Sequence, residues 1–175
     1  MRQLVYSVAT SLDGFIAGPK GEFDWIIQDP TMDFGEIFGH FDTLVMGRHC
    51  YESILREGRS PKEFGMRAYV ASTTLDPARH RDVTIVGSNL AATVAELKRA
   101  SGKEIWLFGG GKTFRSLLDA GLVDRVDVSV IPVLLGGGIP LVSEGHRWPL
   151  QFKDSRTFPS GIVSLTYRVG PEPAI

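Results

Sequence analysis

The sequence predicts a three-layer α/β domain around a mostly parallel central sheet, closed at one edge by an antiparallel hairpin. Three observations predict it. Short, nearly continuous apolar runs alternate with amphipathic segments of helical period, as expected when both faces of a sheet are covered. Glycines punctuate the junctions between them. Only the turn Pro159-Ser160-Gly161 separates the last two strand-like runs, so they pair directly. A chain of 175 residues with 43% hydrophobic residues suits one domain, 1–170, with a sizeable core. The tail 171–175 is expected to be disordered.

Taken in order, Leu4–Ala9 is the first strand, and Asp13-Gly14 supplies a turn behind it. Thr31–His40 reads as a helix with Phe34, Ile37, Phe38 and Phe41 on one side. Thr43–Met46 is a strand that ends on Gly47 before a segment that can be helical. Arg56–Arg67 is a polar surface loop, Arg67–Ala71 a strand, and Thr73–Arg81 a loop containing Pro77. Val83–Val86 is the next strand. Leu90–Ser101 stacks Leu90, Val94 and Leu97 on one stripe and stops at Gly102. Glu104–Phe108 is a strand, and Thr113–Ala120 groups Phe114, Leu117 and Leu118 before Gly121. Arg125–Ile131, Leu150–Phe158 and Ile162–Val169 complete the strands.

Nineteen basic against twenty acidic side chains give a net charge of −1, which argues against nucleic acid or an anionic membrane as partner. No run approaches the roughly 18 apolar residues of a membrane helix, and the first residues read as a strand rather than a leader. A soluble, cytoplasmic protein is expected. The single cysteine, Cys50, allows no internal disulfide. His40, His80 and His146 show no metal-ligand spacing and read as surface or loop residues, so no metal is expected. No G-x-S-x-G nucleophile motif occurs.

The chemistry concentrates in two turns. Val45-Met46-Gly47-Arg48 and Phe108-Gly109-Gly110-Gly111-Lys112-Thr113 each follow a buried strand and open a helix. Free backbone N–H groups and the positive end of a helix dipole suit a phosphate there. Two such turns suggest a ligand with phosphates at more than one point, such as a dinucleotide. Gly111-Lys112-Thr113 is not a triphosphate loop, because the earlier glycine of that motif would fall on Trp106, in mid-strand. The spacing G-x-G-x-x-G is missing as well.

Four motifs in this order carry a resemblance. They are Ser11-Leu12-Asp13-Gly14-Phe15-Ile16-Ala17, Val45-Met46-Gly47-Arg48-His49-Cys50-Tyr51-Glu52-Ser53, Trp106-Leu107-Phe108-Gly109-Gly110-Gly111-Lys112-Thr113-Phe114 and Pro132-Val133-Leu134-Leu135-Gly136-Gly137-Gly138. From Leu4 to about Val169 the chain resembles the dihydrofolate reductase-like superfamily. Within it, the chain is closer to the reductase domain of bacterial riboflavin-biosynthesis proteins (the RibD C-terminal domain family) and its stand-alone relatives.

The resemblance implies NADPH as cofactor. Gly47, Arg48, His49 and Cys50, with Gly109, Gly110, Gly111, Lys112 and Thr113 behind Phe108, would hold its pyrophosphate, and Gly109-Gly110 would be joined by a cis peptide. Arg48 would hold the 2′-phosphate, since a guanidinium fork suits a phosphate dianion, with Ser72 and Thr73 as the second element of that pocket. Gly87 would line the adenine side. Ala9, Ile16 and Ala17 would hold the nicotinamide, under a lid formed by Thr10–Ala17. By residue type alone Arg48 is equally a surface charge, Ser72-Thr73 a turn, and Cys50 a packing residue or a thiol acidified at a helix start.

Asp33, the best candidate proton donor, and Asp13 are the candidate catalytic acids, with Glu36 after Asp33. Each also has an ordinary reading: first-turn acids for Asp33 and Glu36, a turn residue for Asp13. Trp25 and Phe34 are candidate walls of a substrate cleft. The resemblance implies an oxidoreductase that reduces a small heterocyclic or ribosylaminopyrimidine-type substrate, like 5-amino-6-(5-phosphoribosylamino)uracil reductase, and commonly a homodimer. The zinc deaminase often fused to that reductase needs an H-x-E and P-C-x-x-C pattern that one cysteine cannot supply. A dihydrofolate or pterin reductase and a non-catalytic NADPH-binding protein are the alternatives.

Overall fold

Strand after strand enters one sheet from the same side in the computed structural model, which describes residues 1–171. Of the tail expected to be disordered, only Pro171 is among the described residues. The strands are β1 (Leu4–Ser11), β2 (Phe15–Ala17), β3 (Phe41–Gly47), β4 (Arg67–Ala71), β5 (Thr84–Val86), β6 (Glu104–Gly109), β7 (Arg125–Ile131), β8 (Ile139–Pro140), β9 (Leu150–Thr157) and β10 (Val163–Val169). The helices are α1 (Phe34–Gly39), α2 (Arg48–Arg56), α3 (Leu90–Arg99) and α4 (Gly111–Asp119). Eight strands form the main sheet in the order β5-β4-β3-β6-β1-β7-β10-β9. Every pair from β5 to β7 is parallel, and β10 and β9 are antiparallel at the edge, as the short turn between them requires.

Alternation along the strands divides the core. Leu4, Tyr6, Val45, Ile105, Leu107, Val126 and Val128 meet α3 and α4 through Leu90, Val94, Phe114, Leu117 and Leu118. Val5, Leu44, Met46, Val70 and Trp106 meet α1 and α2 on the opposite face through Phe38, Tyr51 and Ile54. Leu117 is fully buried, and truncating it to Ala would cost roughly 3 kcal/mol. A third cluster of Ile131, Phe158 and Ile162 takes in Ala9, Trp25, Ile26, Met32 and Val133 at the end of β1.

Three expectations change. The first helix begins at Phe34, because Asp33 caps it by accepting from Glu36 N at 2.9 Å; none of its residues is buried, and Phe41 opens β3 instead of extending its stripe. The polar stretch after α2 is ordered by a capping box of Ser60 and Glu63 around the 3-10 turn Pro61–Phe64. His80 is half-buried, with Nδ1 3.0 Å from the Tyr51 hydroxyl. Strands β2 and β8 form a separate antiparallel flap that the sequence did not signal.

Candidate functional site

The two glycine turns meet at the carboxyl edge of the sheet, where β3 and β6 lie side by side. A Cβ on Gly47 would stand 2.5 Å from Thr113 Oγ1, and one on Gly109 3.4 Å from Cys50 Sγ. Each turn thus occupies the space beside the other's glycine. The helices that follow, α2 and α4, start on Gly47 and Gly110 without a side-chain cap. Their first-turn amides therefore face the junction with no side-chain acceptor, a ready anion cradle. His49 and Lys112 are exposed beside it.

Chain direction at the second turn comes from Gly110, with φ at 93°, a value that only glycine adopts freely. No cis peptide occurs among the described residues, so the implied cis Gly109-Gly110 bond is corrected to trans. Gly111 serves packing: its Cβ position lies 2.6 Å from the Pro140 carbonyl oxygen, so β8 rests directly on the start of α4. Tyr6 fixes this arrangement by stacking on Phe114 at 3.8 Å and donating to the Leu141 carbonyl at 2.9 Å. Burial pushes the Cys50 thiol up to about 11. It is a neutral packing group beneath the turn, and the acidified thiol is not realised.

Arg48 leans toward the end of β4. Its Nη1 donates to Thr74 Oγ1 at 3.4 Å and lies 3.7 Å from Glu52. The Ser72 hydroxyl accepts from the Thr74 and Leu75 amides at 3.2 and 3.1 Å, making the turn that presents Thr74. Thr74 contacts the guanidinium and Thr73 does not, a one-residue displacement that sequence matching missed. Gly87 is exposed at the end of β5. Phe108 packs on Phe64 and Trp106 before the second turn.

Of the expected lid Thr10–Ala17, Thr10 and Ser11 are instead buried residues of β1 paired with Val130 and Ile131, so the segment that folds back over the end of β1 is Leu12–Ala17. Asp13 holds it: its carboxylate accepts from the Leu135 and Gly136 amides at 3.1 and 2.7 Å, pinning the lid to the loop after β7. The Ser11 hydroxyl and those two amides keep the Asp13 carboxyl below its ordinary range. Ile16 and Ala17, both half-buried, pair within β2 against β8, and Gly138 leaves no room for a Cβ beside the Ala17 carbonyl.

The candidate wall residues lie in the loop before α1 and at the first residue of α1. Trp25 is half-buried with Ala9 and Met32, while Phe34 is 40% exposed and stacks on Phe38, which stacks on Trp106 at 4.9 Å. Asp33, engaged in its cap, sits at the start of α1. Asp29 is the buried acid of this region: it accepts from the Thr31 and Ser160 amides at 2.8 Å each and ties the loop before α1 to the β9–β10 turn. The hydrogen bonds from Thr31 and Ser160 hold its carboxyl well below the usual range. Among the described residues no group of three or more His, Cys, Asp or Glu could hold a metal, and no helix is long and apolar enough to cross a membrane.

The topology is that of a dihydrofolate reductase-like α/β domain. The family model described as the RibD C-terminal domain matches residues 2–164. The chain is 34% identical to the uncharacterized protein YyaP of Bacillus subtilis, over 95% of this chain and 94% of that one. A putative riboflavin biosynthesis protein from Shewanella superposes with a TM-score of 0.81 at 29% identity, covering 97% of this chain and 99% of the other. A Thermotoga maritima diaminohydroxyphosphoribosylaminopyrimidine deaminase/5-amino-6-(5-phosphoribosylamino)uracil reductase shares the fold, with a TM-score of 0.70 at 18% identity over 97% of this chain and 57% of that longer one. The chain belongs to the RibD C-terminal domain family, a family of reductase domains.

Proposed function

We propose that the chain is an NADPH-dependent reductase acting on a small heterocyclic substrate of the ribosylaminopyrimidine type. The junction of the two glycine turns carries this reading. The residues present fit a dinucleotide: the two glycine turns pack against each other, two helices without side-chain caps begin there, and Arg48 lies next to the Ser72-Thr73-Thr74 turn. Family membership supports a reductase, and the printed names of the Shewanella and Thermotoga proteins supply the substrate class.

When bound, NADPH supplies the hydride. The amides of Gly47–Cys50 and Gly110–Thr113 hold the pyrophosphate. Arg48 and Thr74 grip the 2′-phosphate, and Gly87 lines the adenine side. Backbone groups of Ala9, Ile16 and Ala17 orient the ring, and the lid pinned by Asp13 keeps water out. Trp25 and Phe34 wall the substrate. A homodimer joined through the β9–β10 hairpin goes with this reading.

Arg48→Ala tests it. Losing charge-assisted bonds to a phosphate dianion should weaken NADPH about 10- to 100-fold and leave NADH nearly unchanged in a fluorescence titration. Equal losses for both cofactors would remove Arg48 from the 2′-phosphate.

A further inference from the structure

Beyond β6 the sheet face that carries Ala9 is half-buried, with no helix packed on it. Helices α3 and α4 lie on the opposite face, and α1 and α2 pack over β3, β4 and β6. What remains open is polar and in register. Ser7 pairs with Asp127 and Ala9 with Ser129, while Asp127 pairs with Thr166 and Ser129 with Ser164. With strands about 4.8 Å apart and about 6.7 Å between alternate residues, these six side chains make a floor of ligand size.

The walls are apolar. On one side Trp106 stacks on Phe38 and donates from Nε1 to the Ser7 carbonyl at 2.8 Å. On the other, Trp25, Ile26 and Met32 pack together with Ala9 on the Ile131, Phe158 and Ile162 cluster. The Ser129 and Ser164 hydroxyls are 3.2 Å apart on the floor. The Asp127 side chain, 26% exposed, takes Arg125 Nε on its two oxygens at 3.1 and 3.0 Å. Arg125 also gives two bonds to Glu104, at 2.8 and 2.7 Å. Arg125 is thus shared between two carboxylates, and the Thr166 hydroxyl bonds Asp127 as well. Each Asp127 oxygen keeps accepting capacity.

We infer that Asp127 is the substrate-recognising carboxylate of this face, accepting paired N–H donors from an amidine or aminopyrimidine edge, with the Ser129, Ser164 and Thr166 hydroxyls beside it. A half-buried carboxylate that keeps accepting sites gains most from a ligand that brings two donors in a fork. The first-helix acids are placed differently: Asp33 is engaged as the cap, and Glu36 is exposed. The inference rests on the reductase reading for what stands next to the trough, yet the trough itself can be probed without turnover.

The test uses 2,4-diaminopyrimidine, titrated into wild type, Asp127→Asn and Asp127→Glu with tryptophan fluorescence as readout. Melting curves with and without NADPH are run on each. Wild type should bind the probe; Asp127→Asn should lose about 10-fold or more and Asp127→Glu should recover part of it. The NADPH-induced rise in melting temperature should be the same in all three. Equal probe affinity in Asp127→Asn, or no binding to wild type, overturns the inference and leaves the cofactor reading standing. No NADPH shift in wild type overturns the reductase reading instead, while the probe affinities still decide the role of Asp127.

Discussion

The two ends of the central sheet are built on opposite plans. At the amino end, charges are paired. Arg2 bonds Asp42 and Thr43, Lys98 donates to Asp124 and to the Leu122 carbonyl at 2.6 Å each, and Arg125 donates to Glu104 at 2.8 and 2.7 Å. Asp124 also accepts from the Leu4 amide at 2.7 Å, so the end of β1 is tied down twice. At the carboxyl end, β3 and β6 stop on glycines, and α2, α3 and α4 all begin without side-chain caps. One end spends its polar groups on itself, while the other leaves amides without side-chain acceptors at a single place. Stability and ligand binding can therefore be separated by mutation.

The largest effect should come from filling the junction. Gly47 has φ −80° and ψ 161°, which valine adopts without backbone strain; its Cβ would stand 2.5 Å from Thr113 Oγ1, so Gly47→Val should fold with the Thr113 side chain turned aside, and a melting curve checks this. The valine side chain would occupy the space beside Thr113, and NADPH affinity should fall about 100-fold or more in calorimetry. Retained binding would break the contrast at its functional end. Lys98→Met tests the other end. It leaves Asp124 without its cation, and urea unfolding should show a loss of about 2 kcal/mol with NADPH affinity unchanged. A loss of cofactor affinity there would mean that the two ends are coupled.

The smallest effect is acid sensitivity. Asp13 and Asp29 have carboxyls lowered in the folded state. A group lowered in this way contributes its stability above the unfolded value of about 4, and that contribution fades as pH falls through the lower folded value. Melting temperature should stay level down to roughly pH 5 and drop below pH 4. Asp29→Asn should flatten part of that drop, and an identical profile in the variant would remove Asp29 from it.

Much of the sheet was legible because its strands stand out between polar and glycine-bearing segments: Arg67–Ala71 and Arg125–Ile131 appear with the boundaries read from sequence. The edge hairpin followed from a turn too short to hold a helix. Helix starts were less legible, since α1 waits for its cap at Asp33 and α4 begins at Gly111. The flap was invisible because strands of three and two residues owe their form to each other and to the start of α4. In the candidate site, the meeting of the glycine turns could be anticipated from their positions after parallel strands. Thr74 could not, because which hydroxyl faces Arg48 depends on the turn that Ser72 makes. Asp127 did leave a signal. Arg-Val-Asp-Val-Ser-Val in β7 and Val-Ser-Leu-Thr-Tyr-Arg-Val in β10 alternate polar with apolar, the mark of a strand with one open face. Reading β7 as a strand covered on both sides hid it.

Amide chemical shifts during an NADPH titration test the central claim most directly. The account predicts the largest changes at Gly47–Cys50 and Gly110–Thr113, with Lys98, Glu104 and Asp124 at the opposite end silent. Changes centred on the amino end, or none at saturating NADPH, would contradict it.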